Sequence, residues 1–345
     1  MQQWIKEVAR GKKGAKDLSY QETKEVANII VSNQATSAQI AAYLVGARIK
    51  MESSEELLAF IHTLTQHAEH LPLPEEVQRR TIDFAGPYNG RHSFAATIPV
   101  SLLLAEQGVP VFIAASDTLP PKYGTSLKAI FHELGIATNS DSQTAAAQML
   151  NHQFGFADTE QYCSVLARLR SLREEIGVRT LFNTVEKLVN ISGARNIMLG
   201  AFHRTAINKL SDVFAQLDYQ HAYVVQGLEG SEDVPVHRNS FVFDWTPEGL
   251  QSFIVKPQEY GLASKDFDKE HKHSAIEQAA IIQAIFHGEN KDSYYYNQVL
   301  LNAGLRYYLF GVLPSIEEGI SLAEEQIRSG RALRQLTTVQ ESNGN

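Results

Sequence analysis

The chain changes its periodicity once. Through the first seventy residues the apolar positions recur at helical spacing. Beyond the proline pair of "LPLPEE" (71–76), short apolar runs alternate with helix-length segments. Few features restrict a fold more, because a period of 3.6 residues puts one face of a helix in the core and a period of two does the same for a strand. Three helix starts are marked before the change: Ser19 with Glu22, Thr36 with Gln39, and Ser53 with Glu56. Each is a capping box, in which a hydroxyl accepts from the third amide while the acid or amide side chain reaches back. Apolar stripes follow each start: Val26, Ile29 and Ile30; Ile40, Tyr43, Leu44 and Ala47; Leu57, Leu58 and Ile61.

After the linker the pattern predicts strands at 81–85, 109–114, 197–201, 222–226, 241–245 and 252–256. Helices are predicted at 97–107, 126–134 and 161–176. The tail returns to helix at 273–287, 293–310 and 315–329. Alternating strands and helices specify an α/β fold with a mainly parallel sheet flanked by helices. With 345 residues there is room for a small helical domain (1–72) and a larger α/β domain (73–345) holding a ligand cleft. A net charge of −8 gives no overall support for nucleic-acid binding, so only a local basic face could supply it. The single cysteine, Cys163, excludes an intrachain disulfide framework and a multi-cysteine zinc site. The start "MQQWIKEVARGKKGAKD" has no apolar core of signal-peptide length, and no stretch is apolar for long enough to span a membrane; a cytoplasmic protein is expected.

Four segments could carry chemistry. "DFAGPYNGRHS" (83–93) runs from strand through a turn toward a helix. Such turns hold phosphates when successive N–H groups converge. Here Pro87 removes a donor and Tyr88 takes up room, so the turn reads either as structural or holding some other ligand, or as a loop of Gly86, Tyr88, Asn89 and Gly90 that still meets a phosphate. "QGLEGSEDVP" (226–235) follows a strand at its carboxyl end, where open α/β sheets bind ligands. Its Glu229, Glu232 and Asp233 suit Mg²⁺, or else form a solvated acidic loop. The helix "QYCSVLARLRSLREEIGVR" carries Arg168, Arg170 and Arg173 with no acid between Gln161 and Arg173. Arg170 and Arg173 lie three apart on one face, either gripping a polyanion or facing water. Lys6, Arg10, Lys12, Lys13 and Lys16 make a second basic cluster. The histidines of "KEHKHS" (269–274) read as exposed, and His203 falls at the expected rim of the cleft. Cys163, near a helix start, is either an activated thiol or a buried inert one.

Taken together, several segments resemble the anthranilate phosphoribosyltransferase family, also called glycosyltransferase family 3. They are "LSYQETKEVANIIVSNQATSAQIAAYLVGARIKMESSEEL", "FGFAD", "LREEIGVRTLFNTVEKLVN", "LGAFH", "VVQGLEGSED" and "NQVLLNAGLRYYLFGVLPSIEEGISLAEEQIRSGRALRQL". The resemblance implies a helical domain joined to an α/β domain of the anthranilate phosphoribosyltransferase and nucleoside phosphorylase type, and a homodimer formed through the helices. It implies that the 86–90 loop stands where the family's Gly-Thr-Gly-Gly-Asp-Gly loop binds phosphoribosyl pyrophosphate, and that Thr97 stands at the serine of the Asn-x-Ser-Thr set. It implies that Arg173 matches the arginine that binds the anthranilate carboxylate. Glu232 and Asp233 match the Mg²⁺-binding acid pair in reversed order, and Cys163 replaces a substrate-facing histidine. Glu186 and Lys187 replace a Gly-Pro, and "AASDTLPPK" lacks the expected Lys-His-Gly-Asn. The "YNG" loop with this cysteine resembles a divergent branch that includes a nucleic-acid-binding protein without the biosynthetic activity. The sequence therefore predicts a family member with an altered phosphoribosyl pyrophosphate site that binds a nucleotide, nucleic acid or other polyanion. The alternative is a Mg²⁺-dependent phosphoribosyltransferase acting on anthranilate or another aromatic acceptor.

Overall fold

The computed structural model describes residues 1–11, 13–86, 90–201, 204–289, 291 and 293–342. Helices α1 (Gln2–Val8), α2 (Tyr20–Val31), α3 (Ser37–Lys50) and α4 (Ser54–Gln66) form the start of the chain. All three capping boxes close as the sequence predicts. Glu56 does more than cap: it also accepts from the Leu18 N–H at 3.0 Å and pairs with Lys50 at 2.7 Å. Val26, Ile30, Tyr43, Leu44, Leu57 and Ile61 are buried, so the predicted stripes are spent inside the chain. Their cluster continues into Leu166, Leu169, Phe182 and Val185, with Phe60 edge-on to Phe182 at 5.6 Å.

The sheet contains β1 (Ile82–Ala85), β2 (Val111–Ala115), β3 (Phe154–Asp158), β4 (Asn196–Gly200), β5 (His221–Val225), β6 (Ser240–Thr246) and β7 (Gly249–Val255). Their order is β3-β2-β1-β4-β5-β6-β7. The first five are parallel, with Ile82 opposite both Val111 and Asn196. β6 and β7 turn back antiparallel. Six strands were legible in the sequence. β3 was missed because Gly155 interrupts its apolar run; that glycine is needed there, since a Cβ would lie 2.6 Å from the Met149 sulfur. The expected helix at 161–176 is two pieces, Thr159–Tyr162 and Ser164–Ile176, broken at Cys163. The opposite sheet face packs Phe84, Ile113 and Tyr223 against the helices Thr97–Glu106 and Tyr294–Leu309. Among the described residues no helix is long and apolar enough to cross a membrane.

Candidate functional site

The chain winds outward from β1 to β3 on one side and from β4 to β7 on the other, so the topological switch lies between β1 and β4. Crevices at the carboxyl ends of such strands are where open α/β sheets hold ligands. The loop after β1 and the loop after β5 meet there. Gly200 ends β4 under the second loop, and a Cβ on it would lie 2.2 Å from the Gly230 carbonyl oxygen. Gly90 (φ +74°) presses the first loop against Gly124 and leads into an antiparallel bridge between Arg91 and Thr125. Tyr88, Asn89, His203 and Lys12 lie outside the described residues.

The acid pair is in place but already engaged. Asp233 is fully buried. It accepts from Arg91, from Arg306 Nη2 at 2.8 Å, and from the Thr97 hydroxyl and N–H at 2.8 and 3.1 Å. Burial pushes its pKa up, but Arg91 and Arg306 outweigh burial and hold it below the usual carboxylate range. Thr97 also touches one oxygen of Glu232 and accepts from Arg306 at 3.0 Å. The other Glu232 oxygen, Oε2, is buried without a hydrogen-bond partner. Lys187 lies near, its pKa lowered by burial against the pull of Glu232 and Glu186. Mg²⁺ needs open carboxylate oxygens in a tight octahedral shell. In this arrangement two guanidinium groups saturate Asp233, and Glu232 Oε2 is the oxygen of the pair left open. The residues as placed do not fit a Mg²⁺ ion held by both carboxylates.

An anion cradle is present as well, and it too is filled from within. The N–H groups of His92 and Ser93 converge on the Glu229 carboxylate at 3.0 and 3.2 Å, and Lys122 pairs with it at 2.7 Å. Consecutive amides plus a lysine are what a phosphate would use. Burial raises the pKa of Glu229, but Lys122 and the His92 amide bring it below its ordinary value.

The arginine helix departs from its expected role. Arg173 is buried, with Nη1 2.5 Å from Glu186 Oε2, and its guanidinium lies 5.9 Å from the Phe182 ring centroid. The contact is a close charge pair without hydrogen-bond geometry: neither Nη atom of Arg173 and neither carboxylate oxygen of Glu186 has a hydrogen-bond partner. Burial pushes the Glu186 carboxyl up while Arg173 pulls it down, and burial prevails. Arg170 pairs with Glu160 at 2.6 Å and Glu174 at 3.3 Å and donates to the Thr118 and Asp117 carbonyls. Arg168 donates to the Val31 carbonyl at the end of α2. Arg170 and Arg173 thus do not form a shared open basic face; spacing put them on one side of the helix, but acids from other elements meet them there. In the N-terminal cluster Arg10 pairs with Glu7. Cys163 is buried, and burial raises its thiol pKa despite the Leu166 and Val165 amides, so it is not an activated thiol. His273 is buried rather than exposed, while His271 is exposed as expected.

Sequence reading missed Arg91, Arg306, Lys122 and the role of Glu186. Arg306 carried a usable signal: a lone cation in the apolar run "VLLNAGLRYYLF" must find a buried partner.

Two family models cover most of the chain: the glycosyl transferase family helical bundle domain matches residues 2–68, and the glycosyl transferase family a/b domain matches residues 88–333. The anthranilate phosphoribosyltransferase of Persephonella marina is 30% identical over 338 residues, 98% of each chain. That of Shouchella clausii is 30% identical over 325 residues, 94% of each chain. Among solved structures, the Thermus thermophilus anthranilate phosphoribosyltransferase aligns with a TM-score of 0.82 at 23% identity over 98% of each chain. The Saccharomyces cerevisiae enzyme in complex with PRPP and Mg aligns at 0.84 and 18% identity, over 99% of this chain and 97% of that one. At those identities the structural matches speak for the fold, and the full-length relatives for the lineage: the chain belongs to the glycosyl transferase family that includes the anthranilate phosphoribosyltransferases.

Proposed function

We propose that this chain is an anthranilate phosphoribosyltransferase-like protein whose anthranilate and phosphate positions are held by its own carboxylates. Its physiological ligand is then a nucleotide or other polyanion rather than anthranilate. The observation that carries the reading is the buried Arg173–Glu186 pair, which puts an internal carboxylate where the resemblance places the substrate's. Glu229 on the 92–93 amides and Arg91 on Asp233 support it. A nucleic-acid partner rests on the resemblance alone, because Arg168, Arg170 and Arg173 are all engaged internally.

A second reading is a working Mg²⁺-dependent enzyme that moves phosphoribose from phosphoribosyl pyrophosphate to anthranilate or another aromatic acceptor. It is favoured by the full-length 30% identity to anthranilate phosphoribosyltransferases, which weighs for it at least as heavily as the geometry weighs for the first. On that reading Glu186 and Glu229 are place-holders that substrates displace. Each charged hydrogen bond lost at a donor site is worth about 1.5–3 kcal/mol, so several lost together remove several powers of ten in rate. Turnover of anthranilate with phosphoribosyl pyrophosphate and Mg²⁺, followed by anthranilate fluorescence, separates the two. The first reading expects negligible turnover together with a thermal shift on adding a nucleotide or single-stranded DNA. Turnover within tenfold of a biosynthetic relative establishes the second.

A further inference from the structure

The start of the helix Ala275–Phe286 gathers three metal-binding side chains, two of which, His271 and His273, line a small cavity together with Ser93 and Glu229. His271 Nε2 lies 2.7 Å from Glu277 Oε1, and His273 Nδ1 lies 3.2 Å from the same oxygen. One ligand atom from each of the three residues falls within 4.8 Å of the other two. We propose that His271, His273 and Glu277 form a binding site for a transition-metal dication, Zn²⁺ foremost.

His273 is the residue that points to a cation. It is 6% exposed, and its Nδ1 is buried without a hydrogen-bond partner. Its other nitrogen, Nε2, is 3.0 Å from the Tyr295 hydroxyl. With the ring proton on Nε2 donated to Tyr295, Nδ1 turns a lone pair toward the Glu277 carboxylate. Two electron-rich atoms facing each other, one of them buried, are stabilised by a positive ion between them. A histidine ligand held through its far nitrogen is the usual outer arrangement of such sites.

The backbone aims the cluster. Asp268 accepts from the Glu270 and His271 N–H groups at 2.9 and 3.2 Å, turning the chain so that His271 faces the helix start. Ser274 caps that helix by accepting from the Glu277 N–H. In a full capping box Glu277 would reach back to the Ser274 amide; here its carboxylate lies on the two histidines. Two imidazoles and one carboxylate suit Zn²⁺, Ni²⁺ or Co²⁺, whereas Mg²⁺ and Ca²⁺ require oxygen ligands. Zinc bonds of ~2.0–2.2 Å in a tetrahedral shell set ligand atoms roughly 3.3–3.6 Å apart, so His271 Nε2 must part slightly from Glu277 Oε1 to admit the ion, and the exposed His271 side chain can supply that movement. Water completes the shell. The site has a structural consequence: the His273 N–H donates to the His92 carbonyl at 2.9 Å, and Thr125 donates to the His273 carbonyl at 2.6 Å. A bound ion fastens this helix start to the loop that presents the 92–93 amides to the cleft.

The test is calorimetric titration of the chelator-treated full chain with Zn²⁺, paired with thermal melts and with the visible absorption of Co²⁺. One Zn²⁺ per chain is expected, with a raised melting temperature and Co²⁺ bands of a low-coordinate site. His271→Ala, at an exposed position, should leave the metal-free melting temperature unchanged while weakening Zn²⁺ at least ~10-fold, and Tyr295→Phe should weaken it by ~10-fold through the outer hydrogen bond. Three results overturn the proposal: no Zn²⁺ binding by the wild type, equal affinity in the wild type and His271→Ala, or a Mg²⁺ stabilisation that matches that of Zn²⁺.

Discussion

Replacing Glu186 by glutamine tests whether an internal carboxylate occupies the acceptor's place. The change keeps the volume and removes the charge, leaving the Arg173 guanidinium buried and unpaired. Breaking a buried ion pair from one side costs about 3–5 kcal/mol. Unfolding entropy of about 2.1 cal/mol/K per residue, taken over the 345 residues as one cooperative unit, gives roughly 0.7 kcal/mol/K. The variant should therefore melt about 4–7 °C below the wild type. A carboxylate ligand can then restore the missing charge. Anthranilate or benzoate at a hundred times its Kd adds about 2.7 kcal/mol, or about 4 °C, to Glu186→Gln. The wild type, with its arginine already matched, should show no such rise. Differential scanning fluorimetry reads both effects, and anthranilate fluorescence gives an independent Kd. The reasoning is refuted if the wild type binds anthranilate as tightly as the variant, or if the variant melts where the wild type does.

Asp83, buried in the central strand β1, holds its proton to about pH 7 because burial raises its pKa from 3.8, only partly offset by Ser192. The unfolded chain releases that proton near 3.8, so between about pH 4 and 7 the native state binds more protons and stability falls as pH rises. The loss is on the order of 4 kcal/mol. Asp83→Asn should remove this slope, which urea melts at pH 5 and pH 8 would show. A second expectation concerns assembly: light scattering should give about twice the 38.4 kDa chain mass. The stripe residues from Val26 to Ile61 are largely buried within one chain, so a helical-domain dimer would have to use exposed apolar residues such as Ile49 and Met51. A mass of 38.4 kDa at micromolar concentration would remove the dimer.

What could be read from sequence was whatever a short window determines. The three capping boxes and six of the seven strands are set by neighbours two to four residues away. Of the residues singled out from sequence, Thr97, Glu232 and Asp233 come together in one buried network, while Arg173 meets Glu186. Their partners were not legible. Glu229 meets an amide 137 positions away, Thr97 reaches Asp233 across 136, and Arg306 reaches Asp233 across 73. No local pattern encodes such distances. The arginine helix failed for the same reason: its own sequence has no acid before Glu174, but Glu160 and Glu186 arrive from neighbouring elements.

The internal pairs make sense only as a set. At the acid pair, the formal charges of Arg91 and Arg306 cancel those of Glu232 and Asp233. Beside it, Lys122 cancels Glu229 and Arg173 cancels Glu186. Lys122 and Glu229 are partly exposed, but charges as buried as the others are tolerated only when matched, since an unmatched one costs several kcal/mol. A transferase cleft works the other way: it keeps fixed charge unmatched so that Mg²⁺ and a diphosphate can complete it on binding, where preorganised charge stabilises the transition state. Matching these four carboxylates from within moves that free energy from ligand binding into folding, and Lys187 is left as a cation beyond the tally. A substrate entering this cleft must first separate Glu229 from two amides and a lysine, and Glu186 from a buried arginine. The exchange is close to neutral for an anion that replaces each carboxylate contact one for one. It is unfavourable for a ligand that cannot reach both places at once. On the proposed reading, that selects against a small monocarboxylate acting alone and in favour of an extended anion that spans from the 92–93 amides to Arg173.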